Sequence, residues 1–401
     1  MKRLHGWELK NIRIYYLLTF VQSSWWIMGN WIFFWTRYMT YGTLGLIDAL
    51  AFGFGVLVEI PTGAVADLLG KRRTIIAAMA TATLGIILMT HTWNQWGMLF
   101  GFLLAQLGWA LYSGAGEAMA YDTLVDQKRE SEFEKVISSA SSAGLIVTVL
   151  TIIIGGFFYA LYFQLPHIMW WITYALGLIL AFGITEPNAD TEKFSWKGYF
   201  KQLSTGFGQL LSPKLRRYLV FILGLNGVFI IYDWGLVKPA MLEHFGYYAN
   251  EQAIVFAVLG IIGAVFVKSL PKIRKIFGDI KGLYLLSMLI GFSYLIMYFN
   301  LGYYGLITVA IIDIFGRMIY PWLSVVVNKE IPSKYRATTI STSTLISRIP
   351  YVIVALLAGA AAENGTLNEF SLGIGTAFLA MIGLSVILSF QKLFARINSK
   401  L

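Results

Sequence analysis

The stretch GAVADLLGKRRT, residues 63–74, places one aspartate, two glycines and three consecutive cations between two long apolar segments. The chain around it is 57% hydrophobic and 13% charged, whereas soluble domains are roughly 45–50% apolar and about 25% charged. Apolar runs of this length cross a lipid bilayer as helices, and a dense charged loop marks the point where the chain returns to water. The sequence therefore predicts an all-α membrane protein.

Twelve apolar stretches approach the length of about 20 residues that a membrane-crossing helix needs. They cover residues 12–35, 42–65, 74–92, 96–119, 136–162, 167–185, 216–239, 250–270, 282–299, 302–326, 338–362 and 370–392. The first is too long for the core of a signal peptide, so we expect an uncleaved span. We predict a six-helix bundle over residues 1–185, a cytoplasmic linker over 186–215 and a second six-helix bundle over 216–401.

The distribution of cations predicts the orientation, because cytoplasmic loops collect Lys and Arg. With a cytoplasmic N-terminus, the loop cations fall almost entirely on the cytoplasmic side, and the far side keeps only Arg37 and Lys238. The sequence thus predicts both termini in the cytoplasm and a multi-pass protein of the plasma membrane. The same rule explains the net charge of +10, so the lipid bilayer is the expected partner and nucleic acid is not.

Composition and motifs also exclude several kinds of functional site. The chain has no cysteine, which excludes disulfides and thiolate metal sites. Its four histidines do not form an H-E-x-x-H pattern, and no G-x-x-x-x-G-K-[ST] phosphate loop is present. An enzyme is therefore not predicted, no cofactor or metal is expected, and ATP is not the direct energy source. A channel would need a ring of repeated filter residues, which is not evident.

The loop between the second and third spans resembles the signature of the major facilitator superfamily, G-x-x-x-D-x-x-G-R-[RK]. Gly63, Asp67, Gly70 and Arg72 fit this pattern, and Lys71 stands where arginine is usual. The resemblance implies the major facilitator fold, with twelve transmembrane helices in two six-helix bundles. It also implies that this loop locks the two halves together when the central cavity faces outward.

The signature residues predict a conformational latch. Asp67 is placed to accept backbone N–H groups at a helix N-terminus and to pair with a cation, for which we predict Arg336. Asp122 is predicted to hold Arg72. The latch residues are Gly63, Asp67, Gly70, Lys71, Arg72, Asp122 and Arg336. The alternative is that the cations simply follow the positive-inside rule, which leaves Asp67 unexplained.

In the superfamily the first, fourth, seventh and tenth spans line the cavity, and here these spans carry polar, charged and aromatic side chains at helical spacing. The predicted substrate-binding residues are Gln22, Trp26, Asn30 and Phe34 on span one, Gln106, Trp109 and Ser113 on span four, Asn226 and Asp233 on span seven, Asp313 and Arg317 on span ten, and Arg348 on span eleven. The alternatives are that Asp313 and Arg317 only neutralise each other, and that tryptophans near span ends form an interfacial belt.

These features predict a secondary transporter of a small organic solute that works by alternating access, as a monomer, with a proton or another ion as the coupling partner. The first prediction for direction is proton-coupled efflux of lipophilic or drug-like compounds. Two departures from family exporters count against it: span four has no arginine, and span five has only Gly155 and Gly156 instead of a G-P-x-x-G-G run. The alternative is uptake or exchange of a polar or anionic metabolite.

The intramembrane carboxylates are the candidates for carrying a proton, since desolvation favours the neutral carboxyl and a nearby cation opposes it. With Lys238 assigned to the far side of the membrane, no cation is expected beside Asp233, which is therefore predicted as the proton carrier. Asp313 is predicted as the structural partner of Arg317 or Arg348.

Overall fold

The computed structural model describes residues 6, 8–187, 196–233, 235–331 and 336–398, and this part of the chain is helical, without strands. Its α-helices, numbered in chain order, are α1 Lys10–Gln22, α2 Trp31–Trp35, α3 Tyr41–Leu69, α4 Lys71–His91, α5 Gln95–Asp126, α6 Phe133–Leu161, α7 Leu165–Phe182, α8 Trp196–Leu210, α9 Asn226–Asp233, α10 Val237–His244, α11 Ala249–Phe277, α12 Asp279–Ile296, α13 Leu306–Gly316, α14 Ile319–Glu330, α15 Arg336–Glu363 and α16 Leu367–Asn398. Short 3₁₀ helices cover Glu130–Glu132, Arg216–Tyr218 and Gly302–Gly305, and a π-helix covers Val220–Leu225.

Ten helices in the described ranges are long and apolar enough to cross a membrane, or eleven if the bent pair Val220–Asp233 and Val237–His244 is one span. The all-α membrane protein is therefore confirmed. The count stays below twelve because the predicted first span, 12–35, is not one continuous helix. α1 ends at Gln22 and the chain turns before α2 begins.

At this break, side chains form hydrogen bonds with backbone groups near the end of α1 and in the turn that follows it. The hydroxyl of Ser24 donates to the carbonyl of Phe20 at 2.7 Å, and the backbone N–H of Trp25 donates to the hydroxyl of Thr151 at 3.1 Å. Apolar periodicity in the sequence does not report such bonds, which compete with the helix for the backbone. The segment has the hydropathy of one helix and folds as two.

The chain divides into two compact units. Unit one contains Met1–Tyr199 with Ala249–Ala257, and unit two contains Phe200–Tyr248 with Val258–Leu401. Within unit one, α4 packs against α5 and α7, and α3 packs against α5. Within unit two, α12 packs against α16, and α15 packs against α9. Unit one thus includes Ala249–Ala257, which the sequence prediction assigned to the second half, and the boundary between the units falls within α8 of the predicted linker.

The two units contain a matching helix junction. Gly70 separates α3 from α4 with φ 85°, and Gly278 separates α11 from α12 with φ 74°. Glycine adopts a positive φ with little cost, so at each junction a single residue separates two helices. The residue that follows is charged in both cases: Lys71 is the first residue of α4, and Asp279 is the first residue of α12.

The charges at these two junctions are inverted. In unit one Lys71 pairs with Asp122 near the end of α5, and both side chains are buried. In unit two Asp279 pairs with Lys329 near the end of α14 at 2.9 Å and also with Arg274, and here Lys329 is exposed while Asp279 is half-buried. An acidic residue in the first turn of a helix is favoured by the helix dipole, whereas a lysine there is not. The same backbone junction is thus held by opposite charge arrangements in the two units.

Candidate functional site

Four charged side chains of unit two form a cluster, called the ion cluster below: Asp233, Lys238, Asp313 and Arg317. The ammonium of Lys238 donates to Asp233 Oδ1 at 2.9 Å and to Asp313 Oδ2 at 2.5 Å. Arg317 Nε donates to Asp313 Oδ1 at 2.7 Å, and Arg317 Nη2 lies 3.7 Å from Asp233 Oδ1. Each carboxylate therefore contacts both cations, and the cluster has no net charge.

A bend in the chain brings Lys238 to Asp233. α9 ends at Asp233, α10 begins at Val237, and the two helical segments meet at an angle of 60°. Lys238 lies in the first turn of α10, so its side chain reaches back across the bend. Pro239 lies in the same turn, where its missing N–H leaves no helical hydrogen bond unmade.

Close packing between α9 and α13 brings in the other two members. Asp313 and Arg317 are four residues apart on one helical face, which is the spacing for an ion pair. Gly316 has no side chain, and the ring of Phe229 from α9 occupies the space that a larger residue would fill. The hydroxyl of Tyr232 donates to the backbone carbonyl of Val309 at 3.0 Å, which links the same two helices.

Burial differs between the members of the cluster. The side chain of Asp313 is fully buried and that of Lys238 is 2% exposed, whereas Asp233 is 16% and Arg317 33% exposed. Ionised groups away from water are stable only when paired and hydrogen-bonded, and here each charge has an opposite charge in contact. Asp233 and Arg317 thus form the accessible edge, and Asp313 and Lys238 form the buried base. A proton that neutralised Asp233 would weaken its hold on both cations.

The sequence prediction did not include Lys238 in the site and assigned it to the far side of the membrane, near the end of the predicted span 216–239. It lies instead at the base of the ion cluster, so the premise that Asp233 has no nearby cation was wrong. The signal was present: Lys238 is a single cation inside the apolar run LVKPAML, and a lone charge in such a run needs a partner. The predicted pairing of Asp313 with Arg317 is found, but its second cation is Lys238 and not Arg348, which lies on α15.

The predicted aromatic and polar stripe on span one does not form, because the helix breaks after Gln22. Asn30 and Phe34 have no exposed surface. The amide of Asn30 donates to the carbonyl of Gly155 at 3.3 Å, and the ring of Phe34 stacks on His167 with centroids 3.9 Å apart. Asn30 and Phe34 are therefore internal packing residues, which corrects the prediction that they line a cavity.

Other predicted site residues of unit one bond to one another through side chains that the sequence prediction did not identify. Trp109 Nε1 donates to the hydroxyl of Tyr174 at 2.9 Å, and that hydroxyl donates to Gln22 Oε1 at 2.7 Å. Trp26 Nε1 donates to the hydroxyl of Thr173 at 3.1 Å. α7 thus supplies hydrogen-bond partners to residues from the first and fourth predicted spans.

On α5 the predicted stripe lies on one continuous helix, but its members differ in environment. Gln106 is buried, and its side-chain amide lies next to Gly55, close to where a larger side chain at that position would be. The hydroxyl of Ser113 donates back to the carbonyl of Ala110 at 2.9 Å, within its own helix. Neither of these contacts involves a charged side chain.

Asn226 lies at the start of α9, beside a cavity of about 30 Å³ in unit two. Ser324 and Tyr320 on α14 and Ser343 on α15 also line this cavity. Asn226 and Asp233 are two turns apart on the same helix, a separation of about 10 Å. The cavity and the ion cluster are therefore both built on α9.

The predicted latch residues have partly different partners from those expected. Asp122 pairs with Lys71 and not with Arg72, because Lys71 is the residue directed toward α5. Arg72 Nη2 instead donates to the carbonyl of Phe182 at 3.3 Å. The carboxylate of Glu186 accepts the backbone N–H groups of Lys71 and Arg72 at 2.7 and 2.8 Å. Glu186 thus caps the N-terminus of α4, a role that the prediction gave to Asp67.

Three latch residues lie where the side chains are not described. Gly63 and Asp67 belong to α3, and Arg336 is the first residue of α15. The side chains at these three positions are not among those that the structure describes. The predicted pair of Asp67 with Arg336 therefore stays a prediction.

Solved structures of transporters resemble this fold along nearly their whole length. One is the crystal structure of the nucleoside transporter NupG, with 14% identity, a TM-score of 0.73, and coverage of 95% of this chain and 98% of that one. Another is a POT family transporter in complex with 5-aminolevulinic acid, with 12% identity, a TM-score of 0.68 and coverage of 95% and 96%. A D-xylose-proton symporter has 14% identity, a TM-score of 0.67 and coverage of 94% and 97%. At these identities the likeness shows the fold.

No curated protein matches the chain in a sequence search. The family model of the Major Facilitator Superfamily, however, matches residues 14–355. This match covers most of the chain and includes the loop with the G-x-x-x-D-x-x-G signature. With a transporter fold and the family match over the same residues, the chain belongs to the Major Facilitator Superfamily and is a multi-pass membrane transporter, not an enzyme.

Proposed function

We propose that this protein is a secondary transporter that moves a small polar organic solute together with protons by alternating access. The observation that carries the proposal is the ion cluster of Asp233, Lys238, Asp313 and Arg317. Two of its members, Asp313 and Lys238, are fully buried, and burying ionisable groups costs free energy even when they are paired. Such groups inside membrane proteins mark ion pathways and proton relays.

Asp233 is the group that we propose to carry the proton. It is more accessible than Asp313, and its contact with Arg317 is the longest in the cluster, at 3.7 Å. Protonation of Asp233 would leave Lys238 and Arg317 with the single carboxylate of Asp313. The cluster would then carry one net positive charge, which favours a rearrangement of α9 and α10 at the bend between them.

A polar solute has more support than a lipophilic one. The aromatic side chains predicted to hold lipophilic compounds, Trp26 and Trp109, have their ring N–H groups bonded within unit one. Among the similar folds described above, one is named a nucleoside transporter and one a D-xylose-proton symporter. The second name also supports the proton as the coupling ion. Efflux of drug-like compounds is the competing proposal.

We further propose that the broken segment from α1 to α2 and the bent pair of α9 and α10 each count as one membrane crossing, which gives twelve. With this count both termini lie in the cytoplasm, as the cation distribution predicts. The domain division proposed from the sequence, 1–185, 186–215 and 216–401, places the linker between two six-helix halves. The transporter is proposed to act as a monomer in the plasma membrane.

Counterflow in reconstituted vesicles tests this proposal. Vesicles that contain the purified protein are loaded with unlabelled uridine, D-xylose, 5-aminolevulinic acid or tetraphenylphosphonium, and entry of the same labelled compound is followed. We expect saturable counterflow of at least one of the three polar compounds, at a level well above protein-free vesicles. An inward proton gradient is expected to produce its accumulation.

The other outcomes distinguish the alternatives. Exchange of tetraphenylphosphonium alone would support export of lipophilic cations in place of the proposal. Solute entry that does not saturate would indicate a channel. Absence of exchange for all four compounds would contradict the proposed function.

A further inference from the structure

The linker helix α8, Trp196–Leu210, and the turn that follows it form a basic segment. Residues 196–218 contain five Lys or Arg residues and no Asp or Glu. The bent membrane-crossing pair of unit two begins directly after this segment, at Val220. Basic segments immediately beside a membrane-crossing helix are attracted to the negative surface of the cytoplasmic leaflet. The charge of the segment and its place in the chain therefore both favour a contact with lipid.

One side of the segment packs against the protein. The side chains of Leu210, Leu215 and Tyr218 are buried. The backbone N–H of Leu211 donates to the carbonyl of Phe207 at 3.0 Å, so the helical hydrogen bonding continues one residue past the end of α8. The buried side chains hold the segment in one orientation, in which another side of the helix is presented outward.

The outward side carries exposed apolar side chains beside exposed lysines. Phe200 is 57% exposed, Phe207 38% and Leu211 66%, and Lys197 and Lys201 are exposed as well. At about 100° of rotation per residue, these five side chains lie within about 120° of the helix circumference, with the apolar groups along one edge and the lysines along the other. We call this surface the α8 face. The combination is typical of helices that lie in the plane of the membrane interface.

We propose that the α8 face binds the anionic lipid surface of the cytoplasmic leaflet. Phe200, Phe207 and Leu211 would enter the boundary between headgroups and acyl chains, where their apolar surface leaves water. Lys197 and Lys201 would pair with anionic headgroups, because the long apolar stem of a lysine lets its ammonium reach the polar layer. The inference goes beyond the proposed transport function and rests only on the proposed cytoplasmic position of the linker.

A single fluorophore on the α8 face tests the proposal. The chain has no cysteine, so Ser204→Cys, at an exposed position of the same face, provides a unique site for a nitrobenzoxadiazole label. The full-length labelled protein is placed in nanodiscs of phosphatidylcholine, with or without phosphatidylglycerol, that contain a lipid with a nitroxide near its headgroup. With phosphatidylglycerol we expect blue-shifted emission and strong quenching by the nitroxide. In phosphatidylcholine alone both effects are expected to be weaker, because the electrostatic attraction is missing.

Two double variants of equal charge change separate the α8 face from the net charge of the protein. Lys197→Gln/Lys201→Gln removes both lysines of the face. The control, Lys272→Gln/Lys275→Gln, removes two exposed lysines near the end of α11. We expect the first variant to lose the additional quenching that phosphatidylglycerol produces, since the ratio of bound to unbound helix falls roughly tenfold or more. The control is expected to retain this quenching.

Three results would overturn the proposal. Emission and quenching that are the same in both lipids would show that the face does not select anionic lipid. A label that stays in water, with neither a blue shift nor quenching, would show that the face does not bind lipid. Equal losses in the two double variants would show that net charge, and not the α8 face, attracts the lipid. Solute counterflow by the unlabelled wild type tests the proposed transport function separately, because that measurement does not depend on the lipid contact of α8.

Discussion

Asp313→Asn is expected to abolish transport and to destabilise unit two. Asp313 is fully buried and accepts hydrogen bonds from both Lys238 and Arg317. Removing its charge leaves these two cations with Asp233 alone. Breaking a buried ion pair from one side costs about 3–5 kcal/mol, because the remaining charge stays buried without compensation. Thermal unfolding in detergent and solute counterflow in vesicles measure the two effects.

A second substitution separates folding from function. In Asp313→Asn/Lys238→Met one carboxylate and one ammonium are removed together, so Asp233 and Arg317 remain as a neutral pair. We expect this double variant to recover most of the lost stability without recovering transport. If Asp313→Asn unfolds at the wild-type temperature, the four side chains do not form the buried cluster described here.

Lys71→Met is expected to lower the free energy of unfolding by about 3–5 kcal/mol, because it leaves the buried carboxylate of Asp122 without its cation. Lys329→Met is the matched control at the corresponding junction of unit two. Lys329 is exposed, and its partner Asp279 keeps Arg274 in contact. An exposed ion pair contributes about 0–1 kcal/mol, so the control is expected to change little. Chemical unfolding of both variants in detergent gives the comparison.

The exchanged pair Lys71→Asp/Asp122→Lys provides a further check. Unit two already carries the acidic residue in the first turn and the cation on the other helix, and a first-turn aspartate is favoured by the helix dipole. The exchanged pair is therefore expected to restore much of the stability lost in Lys71→Met. Equal losses in Lys71→Met and Lys329→Met would show that burial does not distinguish the two junctions.

The sequence predicted the fold because its main determinants are local. Long apolar runs, loop cations and the G-x-x-x-D-x-x-G spacing of residues 63–70 are each visible in a short window. The break after Gln22 was not predictable in this way, because it depends on Ser24 and on Thr151, a hydroxyl more than a hundred residues away. Hydropathy measures how apolar a segment is and does not report which partners its backbone finds.

The site was predicted in part for the same reason. Asp313 and Arg317 are four residues apart on one helix, and their pairing follows from helical geometry. Lys238 required knowledge of the bend after Asp233, and the sequence prediction extended span seven straight through it. Glu186 caps α4 from a position 115 residues along the chain, so only the tertiary structure identifies it. Partners that lie far away in the sequence account for most of the differences between the predicted and the observed contacts.

Proton movement that accompanies solute entry tests the central claim most directly. Vesicles that contain a pH-sensitive dye and either wild-type protein or Asp233→Asn receive a neutral solute that the wild type exchanges by counterflow. We predict that the wild-type lumen acidifies as solute enters, while Asp233→Asn still exchanges solute but leaves the internal pH unchanged, because its side chain cannot ionise. Acidification by Asp233→Asn at the wild-type rate, or solute entry through the wild type without any pH change, would contradict the account.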